Sequence, residues 1–136
     1  MKNKLLFLIL ILTSISCMND RPLTEFDLSD IEKIIISNRG YKGIPNIADN
    51  ANIMDSIEIN NLIGVFKKSE QLADGIIASN KGYIRLELQK IDGKNITISN
   101  FYSNSNGKII LLEDDKGISR FTNDKFFEAV QKHLKK

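Results

Sequence analysis

The chain has one cysteine, one histidine and no tryptophan in 136 residues. A single cysteine, Cys17, forms no disulfide within the chain, so the folded state must rest on a packed apolar core. One thiol and one imidazole fall short of the several ligands that a zinc site needs. A Ser-His-Asp arrangement would have to recruit His133, which stands among lysines in the last expected helix, and no nucleophile-elbow sequence accompanies it. No apolar run approaches the roughly 20 residues that cross a bilayer as a helix. Long basic runs are missing too; the densest positive cluster is Lys132, His133, Lys135 and Lys136. Phosphate-cradling loops are absent, since Arg39-Gly40-Tyr41-Lys42-Gly43 matches neither a Walker motif nor a dinucleotide fingerprint.

What remains is an ordinary globular composition. The hydrophobic fraction is 42%, and the length suits one domain. The formal charge is +2, but residues 1–16 hold Lys2 and Lys4 and no acid; without them 17 basic side chains face 17 acidic ones. A neutral domain has no general attraction to a polyanion, so nucleic acid is not an expected partner. The acidic run Glu113-Asp114-Asp115 lacks the spacing of a calcium loop and reads as a turn. Carboxylates such as Glu87, Asp92 and Glu113 are present, but no spacing singles out an acid-base pair. Neither a metal, a cofactor nor an enzymatic activity is expected.

The N-terminus is the most informative segment. Met1-Lys2-Asn3-Lys4 is a short positive stretch. Leu5-Leu6-Phe7-Leu8-Ile9-Leu10-Ile11-Leu12 is an unbroken apolar run, and small residues follow it. This order is that of an export signal. Ser14-Ile15-Ser16-Cys17 resembles the lipobox of bacterial lipoproteins, with a small residue before the cysteine; Ser14 stands where that family usually has leucine. The resemblance covers about the first 17 residues. It implies cleavage before Cys17, acylation of its sulfur, and a lipid-anchored place in the cell envelope. Met18 in place of an aspartate favours the outer membrane. Residues 1–16 are then the signal peptide, 17–29 the anchored N-terminus and a polar tether, and 30–136 one domain.

Within the domain, residues 30–37 are β-branched and apolar and predict a strand. Residues 38–46 are dense in Gly, Pro and Asn and predict a loop; a short strand returns near 51–54. Asp55 is placed to cap a helix whose stripe is Ile59, Leu62, Ile63 and Phe66. Gly64 interrupts that helix, and close packing on a sheet would account for it. Strict alternation of Tyr83, Arg85, Glu87 and Gln89 with Ile84, Leu86, Leu88 and Lys90 predicts a strand with one buried face. Asp92-Gly93 is a hairpin signal, and its partner strand over 95–102 sets Ile96, Ile98 and Asn100 on one face. Strands over 108–112 and 118–121 continue the meander. A last helix from about Asn123 buries Phe126, Val130 and Leu134, with Phe127 beside them. The class is α+β: an antiparallel meander sheet of about four to six strands with two helices on one face.

The exposed residues that suit a partner are Arg39, Tyr41 and Lys42 in the first loop, with Tyr83 and Tyr102 on strands. The leading functional reading is a membrane-anchored, non-enzymatic binding module whose partner is another protein, such as an immunity or inhibitor protein against a toxin or cell-wall hydrolase. A structural or accessory subunit of an envelope complex is the alternative. It would take up a partner strand at a sheet edge, near 118–121 or at the first strand.

Overall fold

The computed structural model describes residues 21–42, 48–72, 82–103 and 107–135. A 3-10 turn (Leu23–Glu25) precedes β1 (Ile31–Arg39), β2 (Asn50–Ile53), α1 (Ser56–Phe66), β3 (Glu70–Gln71), β4 (Tyr83–Lys90), β5 (Asn95–Ser103), β6 (Gly107–Asp114), β7 (Gly117–Thr122) and α2 (Asp124–Leu134). The strands form one seven-stranded sheet in the order β2-β1-β4-β5-β6-β7-β3. Every named pair is antiparallel. The fold is α+β, as the patterning implies, with one strand more than the upper expectation. The additional strand is β3, whose two residues are too few to show an alternation.

The side-chain period of two decides which face is buried. Along β4 the burial alternates without a break, and Ile84, Leu86 and Leu88 are fully enclosed. Across the sheet they join Ile34, Ile36, Ile96, Ile98, Ile110, Leu112 and Phe121 in one core. The β4–β5 register pairs Tyr83 with Phe101, Leu86 with Ile98 and Gln89 with Asn95, centred on the Asp92-Gly93 turn. Asn100 lies inside this core, where its Nδ2 donates to the Ile84 carbonyl at 3.3 Å.

Both helices supply the second layer. Asp55 accepts from the backbone N–H groups of Ile57 and Glu58, which satisfies two of the donors a helix start leaves open. Ile59, Leu62, Ile63 and Phe66 are the buried stripe of α1, and Phe126, Phe127, Val130 and Leu134 that of α2. Asn123 caps α2 through the Phe126 N–H and donates its amide to the Val65 carbonyl at 2.9 Å, which ties the two helices end to end.

Gly64 departs from expectation. It lies on the exposed side of α1, and a Cβ there would meet nothing within 4 Å. Close packing therefore does not explain it. Gly64→Ala is expected to stabilise the domain by about 0.5–1 kcal/mol by removing the helix-interior glycine cost. Thermal denaturation of the variant checks this, and an unchanged or lower midpoint would count against the exposed placement.

The packed core extends to residues before position 30. Phe26 and Leu28 belong to the core, so most of the segment expected as a tether is a strap across one end of the molecule. The reason lies in residues far away in sequence. Lys90 ends β4 on the buried side, only 6% exposed, and its ammonium reaches Asp27 Oδ2 at 2.6 Å and the Asp27 carbonyl at 3.0 Å. A buried ammonium is tolerated only when it is paired in this way.

Candidate functional site

The helices cover one face of the sheet, and the other face carries the candidate site. The strand registers place Arg39, Tyr83, Phe101 and Ile109 in one row across β1, β4, β5 and β6. The next row holds Ser37, Arg85, Ser99, Leu111 and Arg120. Tyr83 and Phe101 stack with ring centroids 4.8 Å apart and an interplanar angle of 25°. Ile109 is enclosed beside them without belonging to the main core. Arg85 lies one row away, half-buried, and its Nε finds no hydrogen-bond acceptor among the described residues. An aromatic pair beside a guanidinium whose Nε lacks an acceptor among the described residues suits a partner that offers an apolar surface next to a carboxylate or carbonyl.

The residues expected from sequence do not converge. Tyr41 packs edge-on against Phe127 of α2, with centroids 5.7 Å apart, and is half-buried against the core. Its backbone is held by Asn38, which accepts from the Tyr41 N–H and donates to the Tyr41 carbonyl. It therefore belongs to the helix side, away from Tyr83. Arg39 and Lys42 are exposed at the same end of the molecule as Tyr83. Tyr102 lies in β5 next to Phe101, and its side chain is outside the described residues, as are Cys17 and residues 43–47. Sequence reading missed Phe101 and Arg85. The signal for Phe101 was available: a hairpin centred on Asp92 sets Tyr83 opposite Phe101.

A second feature is a polar recess of about 310 Å³ at one end of the sheet, lined by Glu25, Asp27, Asp92, Asp114 and Asp115 together with Lys90, Lys94 and Lys116. Acid-base catalysis by a carboxyl pair needs one acid kept protonated near neutrality. Here Asp27 is held well below its ordinary value, chiefly by hydrogen bonding from Lys90. Asp114 is lowered as well, chiefly by the Arg21 guanidinium, whose NH1 and NH2 reach its two carboxylate oxygens at 2.6 and 3.0 Å. Both carboxylates act as ionised struts for the strap.

Asp114→Asn is therefore expected to cost about 1–2 kcal/mol near neutral pH, because it removes a two-pronged, partly buried ion pair. A carboxyl whose pKa is depressed on folding contributes fully above its ordinary range and loses that contribution as pH falls through its folded value. The gap between Asp114→Asn and the parent should thus be constant above about pH 5 and close below about pH 4. Urea denaturation across pH measures it; a gap that widens in acid would contradict the strut role.

His133 lines a shallow groove between α1 and α2 with Glu58, Asn61, Leu62, Val65, Ala129 and Lys132. No serine or cysteine is among these residues. Among the described residues no group of three His, Cys, Asp or Glu side chains is placed to hold a metal ion, and no helix is long and apolar enough to cross a membrane. β1 is not an edge; β2 and β4 pair with its two sides. No family model matches this chain, and no curated protein or solved structure matches it.

Proposed function

We propose that this protein is an envelope lipoprotein, lipidated at Cys17, whose domain binds another protein through the sheet face opposite the helices, at Tyr83, Phe101, Arg85 and Arg39. The observation that carries the binding role is the Tyr83–Phe101 stack beside an Arg85 Nε that has no acceptor among the described residues. Burial of an N–H without an acceptor costs free energy in the isolated domain, and a bound carbonyl or carboxylate that draws the guanidinium toward it recovers that cost. Rigid aromatic rings on a strand lose little entropy on binding, which suits a preformed docking face. The reading is non-enzymatic and rests on what the face offers, which is stacking and hydrogen-bond donors. An immunity or inhibitor role fits this chemistry, with the partner a secreted toxin or a cell-wall hydrolase. Placement in the outer membrane rests on the lipobox resemblance and on Met18.

A photo-crosslinking residue at position 101, with Arg85 intact or changed to glutamate, tests the face in living cells. The expected result is a discrete adduct with one envelope or secreted protein, lost in Arg85→Glu, while the folded stability of that variant stays near the parent's. A crosslinking pattern indifferent to Arg85, or adducts no different from those at exposed Lys94 on the far end of the sheet, would remove this face from consideration.

A further inference from the structure

We infer that the β7–β3 edge of the sheet is the membrane-facing side of the domain, and that the β2 edge points away from the bilayer. This rests on the lipidation of Cys17 proposed above. Only four peptide steps separate Cys17 from Arg21, a reach of at most about 15 Å. Arg21 gives no further slack. Its N–H donates to Ser119 Oγ at 2.7 Å, its carbonyl accepts from Gln71 Nε2 at 3.1 Å, and its guanidinium grips Asp114 while lying 4.1 Å from the centre of the Phe26 ring. Those contacts come from β7, β3 and β6, on one side of the sheet. Five inter-strand steps lie between β7 and β2, about 24 Å at the usual strand spacing.

An anchor this short brings the β7–β3 side against the lipid headgroups. That side carries the half-exposed Ile118, and β3 pairs with β7 only at Phe121 and Thr122. Exposed Lys67, Lys68 and Lys116 alternate there with exposed Glu25, Glu70 and Asp115, so no single charge sign selects the lipid. The leash sets the orientation, and it does so on a zwitterionic bilayer at any salt. Two consequences follow. The bilayer covers Ile118, beyond the point where the Leu72 N–H donates to the Arg120 carbonyl, and with it the strand addition expected near 118–121. The exposed Met54 and Ile57, beyond β2, stand on the side that faces away from the bilayer.

The test uses the acylated mature protein, beginning at Cys17, added to preformed phosphatidylcholine vesicles carrying a headgroup-spin-labelled lipid. Thioether formation consumes the Cys17 thiol, so Ile118→Cys and Met54→Cys each present one thiol for a fluorophore. Quenching several-fold stronger at position 118 than at 54, and insensitive to salt, is the expected result. Inserting about ten Gly and Ser residues between Asp20 and Arg21, which adds roughly 17 Å of average reach, should erase the difference. Equal quenching of the two labels in protein whose Cys17 is acylated by mass would overturn this inference and leave the lipoprotein reading intact. A free Cys17 thiol in protein isolated from cells would overturn both.

Discussion

Alanine in place of Phe121 is expected to lower the stability of the domain by about 3–5 kcal/mol, the range for deleting a fully enclosed aromatic ring. Phe121 has no exposed surface. Its ring meets Phe26 of the strap and Phe66 of α1 edge-on, each with centroids 6.3 Å away. Phe66 in turn lies 4.9 Å from Phe126 of α2. One side chain on β7 thus supports the strap, both helices and the sheet, and no single neighbour can collapse into the space it leaves. Domains of this size hold about 5–15 kcal/mol in total, so the variant should sit near the unfolding margin. Urea denaturation should show a much lower midpoint at an unchanged slope. Ile118→Ala, three residues earlier but half-exposed, serves as the contrast and should change stability by under about 1 kcal/mol. Comparable losses for the two variants would mean that this aromatic cluster does not hold the layers together.

Gly82→Ala is expected to cost about 2–4 kcal/mol, and more than Gly40→Ala. Both glycines have positive φ, +77° at Gly82 and +79° at Gly40. That conformation alone costs a side-chain-bearing residue about 1–2 kcal/mol. The difference lies in space. A Cβ on Gly82 would run into the carbonyl carbon and oxygen of Gly40 and the backbone nitrogen of Tyr41, whereas one on Gly40 meets the Gly82 Cα at an ordinary 4.0 Å. Backbone atoms cannot rotate out of the way, so Gly82→Ala must displace the end of β1 or the start of β4. Tyr83 is the next residue, and its stack with Phe101 should loosen with it. Amide exchange at Tyr83 and Phe101 should quicken in Gly82→Ala and stay near the parent's in Gly40→Ala. An equal cost at the two positions would argue against this close approach of the two chains.

Local pattern carried much of the architecture. Alternation over β4 and β5, the helical stripes of α1 and α2, and the caps Asp55 and Asn123 are short-range features, and short-range sterics and hydrogen bonding decide them. The period also set Lys90 and Asn100 in the row of their apolar neighbours, and both are buried there although polar. The sequence did not disclose β3, because two residues form a strand only where β7 already offers an edge. The reason for Gly64 was also misjudged, since an apolar stripe does not reveal what faces a position between its members.

The candidate face was only half legible. Tyr83 was singled out by its residue type and exposed position in the alternation, but its partner Phe101 depends on register, and register depends on where the hairpin turns. Tyr41 was chosen on the same criteria and lies on the other side, because the chain beyond β1 folds toward α2 and Phe127.

The sequence alone determined the class of fold, the apolar face of the central hairpin and the helix stripes and caps, since each depends on neighbours within one or two turns or a single hairpin. Tertiary structure alone decided that the segment around Phe26 and Leu28 is packed. Arg21 and Asp114 are 93 positions apart, and Asp27 and Lys90 are 63 apart. Ion pairs over such separations leave no periodic trace, because the meander must close before either charge meets its partner.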